Sequence, residues 1–247
     1  MIPWELLARA QTLDGADLTL NRHGRDYIIL ANGKSLMSSQ MHGSEEALAT
    51  LGCVRARALP APTVLVGGLG MGFTLRATLD ALPVGARVVV AELMPAVIAW
   101  NQGPLGPLAG HPLADPRVEV VPGDVGATMR ARRGRFDAVL LDVDNGPTAF
   151  SQASNANLYD TAGVATMRAA LAGDGVLAVW SASEDRRFEH RLRHAGFVVR
   201  TEVVRARLKK GGPRHVIFLG LLGASATGAR SGRAPSRDKG TIGRGSR

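Results

Sequence analysis

Short apolar runs alternate with amphipathic stretches through the middle of the chain, and that alternation predicts the architecture. Val64-Leu65-Val66, bounded by Gly67-Gly68, reads as a strand buried on both faces of a parallel sheet. Further strands are expected at Ala86 to Ala91, Arg117 to Val121, Phe136 to Leu141 and Val176 to Trp180. Between them, Phe73 to Leu82, Pro95 to Asn101, Val125 to Arg132, Leu158 to Leu171 and Glu184 to Ala195 carry helical patterning, with Pro95 suited to a first turn. Alternation of this kind with short connections points to α/β, a doubly wound Rossmann-like sheet. Phe197 to Val204 and His215 to Leu222 then close the sheet as an antiparallel hairpin.

Upstream the period changes. Leu18, Leu20, Tyr27 to Leu30, Leu36 and Met37 sit between turn residues, so Asp17 to Met37 is expected to form a small appendage of β-hairpins. Residues 1 to 12 read as a short amphipathic helix with Trp4, Leu7 and Ala8 on one side, and Ser44 as the N-cap of a helix running to Leu51. Pro60 and Pro62 mark a linker, and Gly103 to Pro116 must be loop. The expected organisation is therefore 1–59 as a small N-terminal strand and helix region, 60–223 as the ligand-binding domain and 224–247 as a disordered basic tail.

Charge and composition change this picture little. The net charge is +9, but the Gly-, Ser- and Arg-rich stretch after Gly223 carries +5 of it and has almost nothing to bury. Nucleic acid is accordingly not expected as a partner, except weakly through that tail. No apolar run approaches the roughly 20 residues of a membrane span, and the N-terminus lacks a basic segment followed by an apolar core, so the expected location is cytoplasmic and no membrane partner is expected. The single cysteine, Cys53, has no internal disulfide partner and reads as a buried small hydrophobe. Histidines 42, 111, 190, 194 and 215 show no ligand spacing joined to cysteine or acid clusters, so no metal is expected.

Chemistry is concentrated where the strands end. In an open parallel sheet, ligands bind outside the carboxyl ends of the strands. The first four strands deliver to that edge a glycine loop (Gly68, Gly70, Gly72), then Glu92, Asp124 and Asp142. Each acid has a bland reading: Asp124 would serve equally as a helix cap and Glu92 as a solvated strand end. The glycine spacing discriminates among ligands, because a dinucleotide fingerprint wants glycine at the sixth motif position, which here is Phe73. The pattern suits an adenosyl sulfonium, which has no phosphate needing a helix N-terminus.

GGLGMGFTLR, the glutamate of AELMPAV, DPRVEVVPGDV, and FDAVLLDVDNGP followed by NLYD resemble the catalytic domain of spermidine synthases and related polyamine aminopropyltransferases. These share the class I S-adenosylmethionine-dependent methyltransferase fold. The resemblance runs from about Asp17 to Gly220. It implies that Glu92 holds the ribose hydroxyls and Asp124, with Val125 beside it, the adenine, while Asp142 orients and helps deprotonate an attacking amine. It also implies pairing of two copies through the N-terminal strands. Several positions depart from the family. The aspartate that grips the aminopropyl amine aligns with Met71, the following glutamate with Ala77, and the loop after Asp142 is shortened so that Asp144 stands where a second carboxylate is displaced. Near the polyamine, this chain has Ser35 and Ser44-Glu45-Glu46.

The reaction implied is displacement at a carbon attached to a sulfonium, in which the protein aligns a small amine nucleophile and excludes water. Asp142 is the expected proton acceptor, Asp144 an auxiliary contact and Tyr159 a pocket wall or hydrogen-bond donor. Either S-adenosylmethionine or its decarboxylated form would be the co-substrate. The loss of an acid at Met71 weakens the grip on an aminopropyl ammonium, so methyl transfer is expected slightly ahead of aminopropyl transfer. A competing reading of another class is a non-catalytic nucleotide- or RNA-binding protein with Arg205, Arg207, Lys209, Lys210 and Arg214 as a basic rim.

Overall fold

The computed structural model describes residues 3–12, 15–143, 157–207 and 212–223. Its centre is β5 (Thr63–Gly67), which pairs in parallel with β6 (Arg87–Glu92) on one side and β8 (Phe136–Leu141) on the other. β7 (Val118–Pro122) extends the sheet beyond β6, and β9 (Leu171–Ser181) lies parallel to β8. The last two strands, β10 (Val198–Arg205) and β11 (Arg214–Leu221), pair with each other and β11 inserts antiparallel beside β9. The seven-stranded order is therefore β10-β11-β9-β8-β5-β6-β7. This is the expected α/β sheet with its antiparallel closing hairpin.

Strand periodicity divides the interior into two cores. Val64, Val66, Val88, Val90, Ala138 and Leu140 face one layer, packed by α1 (Gly43–Gly52), α2 (Phe73–Ala81) and α3 (Pro95–Gln102). Leu65, Val89, Ala91, Val139, Leu141 and Val179 face the other, covered by α4 (Val125–Ala131), α5 (Thr161–Ala170) and α6 (Arg186–His194). With both faces covered, the interiors of β5, β6 and β8 (residues 64–66, 88–91 and 138–141) are apolar, and burying each such large side chain contributes roughly 1.5 to 3 kcal/mol. The proline-rich segment after α3 is loop, as expected, with two short 3₁₀ turns at Gly106–Ala109 and Pro112–Ala114.

The N-terminal appendage is a four-stranded antiparallel sheet, β1 (Glu5–Gln11), β2 (Asp17–His23), β3 (Asp26–Ala31) and β4 (Lys34–Ser38), in sequential order. The hairpins are those expected, but β1 corrects the reading of residues 1 to 12 as a helix. The register between β1 and β2 shifts between Leu6 and Ala8. That irregularity lets the adjacent Leu7 and Ala8 both pack on the core, as does Ala10. Two neighbouring apolar residues on one side mimic a helical face, which is why the period misleads here. A helix of this length would also be marginal alone, whereas a strand gains the ladder offered by β2.

The expected cap of α1 is a second correction. His42 occupies the N-cap position without a side-chain cap bond, and Ser44 lies one residue inside the helix with no exposed surface. Gly43 is where the chain crosses the closing hairpin: its N–H donates to Ala206 O at 2.8 Å, and a Cβ there would lie 2.8 Å from Arg205 O. Ser44 is thereby pressed inward, and its hydroxyl is directed away from the helix terminus. Among the described residues, no helix is long and apolar enough to cross a membrane.

Candidate active site

The glycine loop leaves β5 by a route only glycine allows. Gly68 has φ of 88°, and a Cβ on it would lie 2.3 Å from the carbonyl oxygen of Asp142. The ends of β5 and β8 are held at this distance by Asp142 N–H donating to Gly67 O at 2.8 Å. Gly72, also left-handed with φ of 86°, is the N-cap of α2. Leu69 and Met71 turn into the core at 3% and 4% exposure. Asn101 of α3 donates from Nδ2 to Gly70 O at 2.8 Å and so pins the loop from beneath.

Glu92 ends β6 with a carboxylate 8% exposed, which would be costly without donors. Two backbone groups supply them: Leu69 N–H donates to Oε2 and Met94 N–H to Oε1, each at 2.8 Å. Asp124 takes the capping role for α4, accepting from Ala127 N–H at 2.7 Å. Its side chain is about half exposed and lies 3.4 Å from Arg130 Nη2. Val125 is buried, and its Cγ2 would be 2.7 Å from a Cβ on Gly67, so it packs beneath the start of the loop. The cradle at Gly68 and the Glu92 carboxylate, anchored at the end of β6, fit an adenosyl ligand among the residues present.

Asp142 follows β8, and Oδ2 accepts a 2.6 Å hydrogen bond from Thr74 Oγ1 in the first turn of α2. Facing it electrostatically is Glu45 of α1. Burial, reinforced by the negative charge of Asp142, pushes the Glu45 carboxyl up to about 7. Ser44 Oγ donates to Glu45 Oε2 at 2.6 Å, and the same oxygen lies 2.9 Å from His215 Nδ1 on β11. Burial lowers the affinity of His215 for a second proton. Its ring meets Trp180 of β9 edge to face at 4.6 Å. Five elements, β8, α2, α1, β11 and β9, therefore meet around one acidic pair at the carboxyl edge of the sheet.

Tyr159 is 4% exposed, with its ring edge to face against Phe188 at 5.6 Å. Its hydroxyl donates to Val143 O at 3.4 Å, one residue beyond Asp142. It braces the backbone of this strand end. Asp144 lies outside the described residues, as do Lys209, Lys210 and the tail after Gly223. Arg205 and Arg214 face each other at the end of the closing hairpin. Among the described residues no cluster of three or more His, Cys, Asp or Glu is arranged to hold a metal ion.

Glu45 is the residue that sequence reading undervalued: the resemblance put Ser44-Glu45-Glu46 near the polyamine only as a departure from the family, and gave Glu45 no role. A signal was present: Glu45, Leu48, Ala49 and Gly52 share one face at helical spacing, and the last three are buried. An acid on the apolar face of a helix needs a reason. Thr74 likewise sits on the buried face of α2.

No family model matches the chain. Over 126 residues, half of this chain, it is 36% identical to polyamine aminopropyltransferase 1 of Streptomyces coelicolor, of whose length that segment spans 23%. In three dimensions it is similar to a spermidine synthase in complex with the transition-state analogue AdoDATO, with a TM-score of 0.70 and 21% identity over 89% of this chain and 74% of the other. It is also similar to the spermidine synthase of Thermotoga maritima, with a TM-score of 0.66 and 18% identity over 89% and 73% of the two chains.

Proposed function

We propose that this chain, which belongs to the spermidine synthase-like polyamine aminopropyltransferase family of the class I S-adenosylmethionine-dependent fold, transfers an aminopropyl group from decarboxylated S-adenosylmethionine to a small amine. The observation that carries the reading is the acidic pair of Glu45 and Asp142, beside the glycine loop and without an ion-pair partner for Glu45 among the described residues. Burial, reinforced by the Asp142 charge, holds the Glu45 carboxyl up; a cation docking there offsets both, and both substrates of this reaction carry ammonium groups. The pair disfavours ordinary S-adenosylmethionine, whose carboxylate would add a third negative charge. This reverses the preference for methyl transfer drawn from Met71: the acid missing from the loop is supplied by α1.

In this reading Glu92 and the loop backbone hold the adenosyl portion. Glu45 and Asp142 receive the amine, and Thr74 fixes the rotamer of Asp142 by its 2.6 Å bond. Asp142 steers the amine lone pair towards the carbon attached to sulfur, and either carboxylate takes the proton the nitrogen sheds. Asp124 and Val125 border the adenine, and Tyr159 keeps the Asp142 strand end in place through Val143.

Calorimetry with S-adenosylmethionine, its decarboxylated form and methylthioadenosine tests the reading. Tightest binding of the decarboxylated form is expected, followed by alkylation of a diamine detectable by mass. Tight binding of S-adenosylmethionine together with a mass gain of one methyl group would replace aminopropyl by methyl transfer.

A further inference from the structure

The hydrogen bonds around Glu45 continue past the acid pair, through a residue with no surface of its own, to a ring that has some. Ser44 is 0% exposed, so its hydroxyl meets no water. It has one proton, which it donates to Glu45 Oε2 at 2.6 Å. While that proton lies on the side of a Glu45 carboxylate, the 2.9 Å contact with His215 Nδ1 is completed by an N–H on the ring pointing at a Ser44 lone pair; with Glu45 protonated, the same two contacts hold with both protons shifted towards the ring. The imidazole is partly exposed and held on its edge by Trp180. The three groups form an unbroken file from the acid pair to the surface of the closing hairpin.

Alkylation of an amine by a sulfonium needs such an outlet. The ammonium substrate has to shed one proton to free its lone pair. As the nitrogen–carbon bond forms, the carbon–sulfur bond breaks and its electron pair stays on sulfur, so the products are a secondary ammonium and a neutral thioether. One proton is left over in each cycle, and a bound adenosyl ligand and amine would cover the acid pair from the side of the glycine loop.

We propose that Glu45, Ser44 and His215 are a proton relay that carries this proton from the acid pair to solvent at β11, with Ser44 and His215 as positioning residues; the proposal rests on the amine-alkylation reading above. Protonated Glu45 gives its proton to Ser44 Oγ while the Ser44 hydroxyl proton passes to His215 Nδ1, and the imidazolium then loses its Nε2 proton to water. What remains is a Glu45 carboxylate accepting from Ser44 and an Nδ1–H donating to Ser44, with the same 2.6 and 2.9 Å contacts. Exchange with water at the ring restores the other tautomer for the next cycle. Burial, which lowers the proton affinity of His215, favours the last release. The charged groups facing the file are Asp142 and Glu46, which hold the Glu45 proton, and the cross-strand pair Arg205 and Arg214 next to His215.

The test joins two measurements on the full chain. Ring-nitrogen NMR of His215 across pH 5 to 9 should show a second inflection near 7, where Glu45 titrates, and Ser44→Ala should abolish it. In turnover assays His215→Asn retains a side-chain bond to Ser44 but cannot pass a proton. It should lower kcat about tenfold or more while leaving the donor KM unchanged, and added imidazole should restore part of the rate of His215→Ala. A single-inflection ring titration that is identical in Ser44→Ala would overturn the relay, as would an unchanged kcat in His215→Asn. Failure of every amine to be alkylated by the wild type would instead remove the reaction on which the relay rests, and the ring titration would then decide alone whether the three groups exchange a proton.

Discussion

Two carboxylates at opposite edges of the same sheet meet opposite fates. Glu119, near the start of β7, lies in a groove of about 580 Å³ that Arg87, Arg132 and Arg135 also line. Arg132 donates to both of its oxygens, at 2.6 and 3.2 Å, and that pairing holds the carboxyl below its usual range. Glu45, at the carboxyl edge, is pushed up to about 7 by burial and by a neighbouring carboxylate where Glu119 has a cation. At the amino edge the Glu119 charge is paired within the protein. At the carboxyl edge, Glu45 lies beside Asp142 and has no ion-pair partner among the described residues, a condition that a cationic ligand completes.

The largest break in this comparison is expected from Asp142→Asn. The amide can keep the Thr74 hydrogen bond but takes no proton, so kcat should fall about 10³-fold with little change in affinity for the adenosyl ligand. Steady-state kinetics beside calorimetry would separate the two, and unaltered turnover would remove Asp142 from its role. Next in size is Gly68→Ala, which forces a Cβ against Asp142 O in a left-handed backbone. A loss of about 2 to 4 kcal/mol is expected, with the glycine loop's ligand affinity falling in parallel. A thermal midpoint within a degree of wild type would contradict this geometry.

Glu45→Gln sharpens the contrast through pH. A carboxyl raised above its unfolded value of 4.5 favours the folded state while protonated. Its contribution is therefore fully present below about 4.5 and lost as pH rises through about 7, at most about 3 kcal/mol. Unliganded wild type should weaken across that window relative to Glu45→Gln, and parallel denaturation curves at pH 5 and pH 8 would count against the acid pair. The smallest effect belongs to the other edge: Arg132→Ala breaks a partly exposed pair and should cost under about 1 kcal/mol, less in high salt. A loss of activity in that variant would show that the two edges are not independent.

Much of the main sheet was legible because its strands are buried on both faces and are therefore uniformly apolar, as at Val64 to Val66 and Val88 to Ala91. Gly68, Glu92 and Asp142 could be placed at one edge because each directly follows or ends such a strand. The small sheet was less transparent. Leu7 and Ala8 share a side only because β1 shifts register against β2, a feature that depends on a strand ten or more residues away. Ser44 looked like a cap because its residue type suits one, yet the crossing of Gly43 over the closing hairpin turned it inward.

Local pattern determined the order of strands and helices in the main sheet, since burial imposes a period of two or of 3.6 on any stretch that must face a core. It also determined that glycine and acids would fall at strand ends. Only the tertiary structure decided which acids work together. Glu45 and Asp142 are almost a hundred residues apart, and Ser44 meets His215 across 171. A carboxylate's proton affinity follows from the charges and burial around it in space, and no spacing along the chain encodes that neighbourhood.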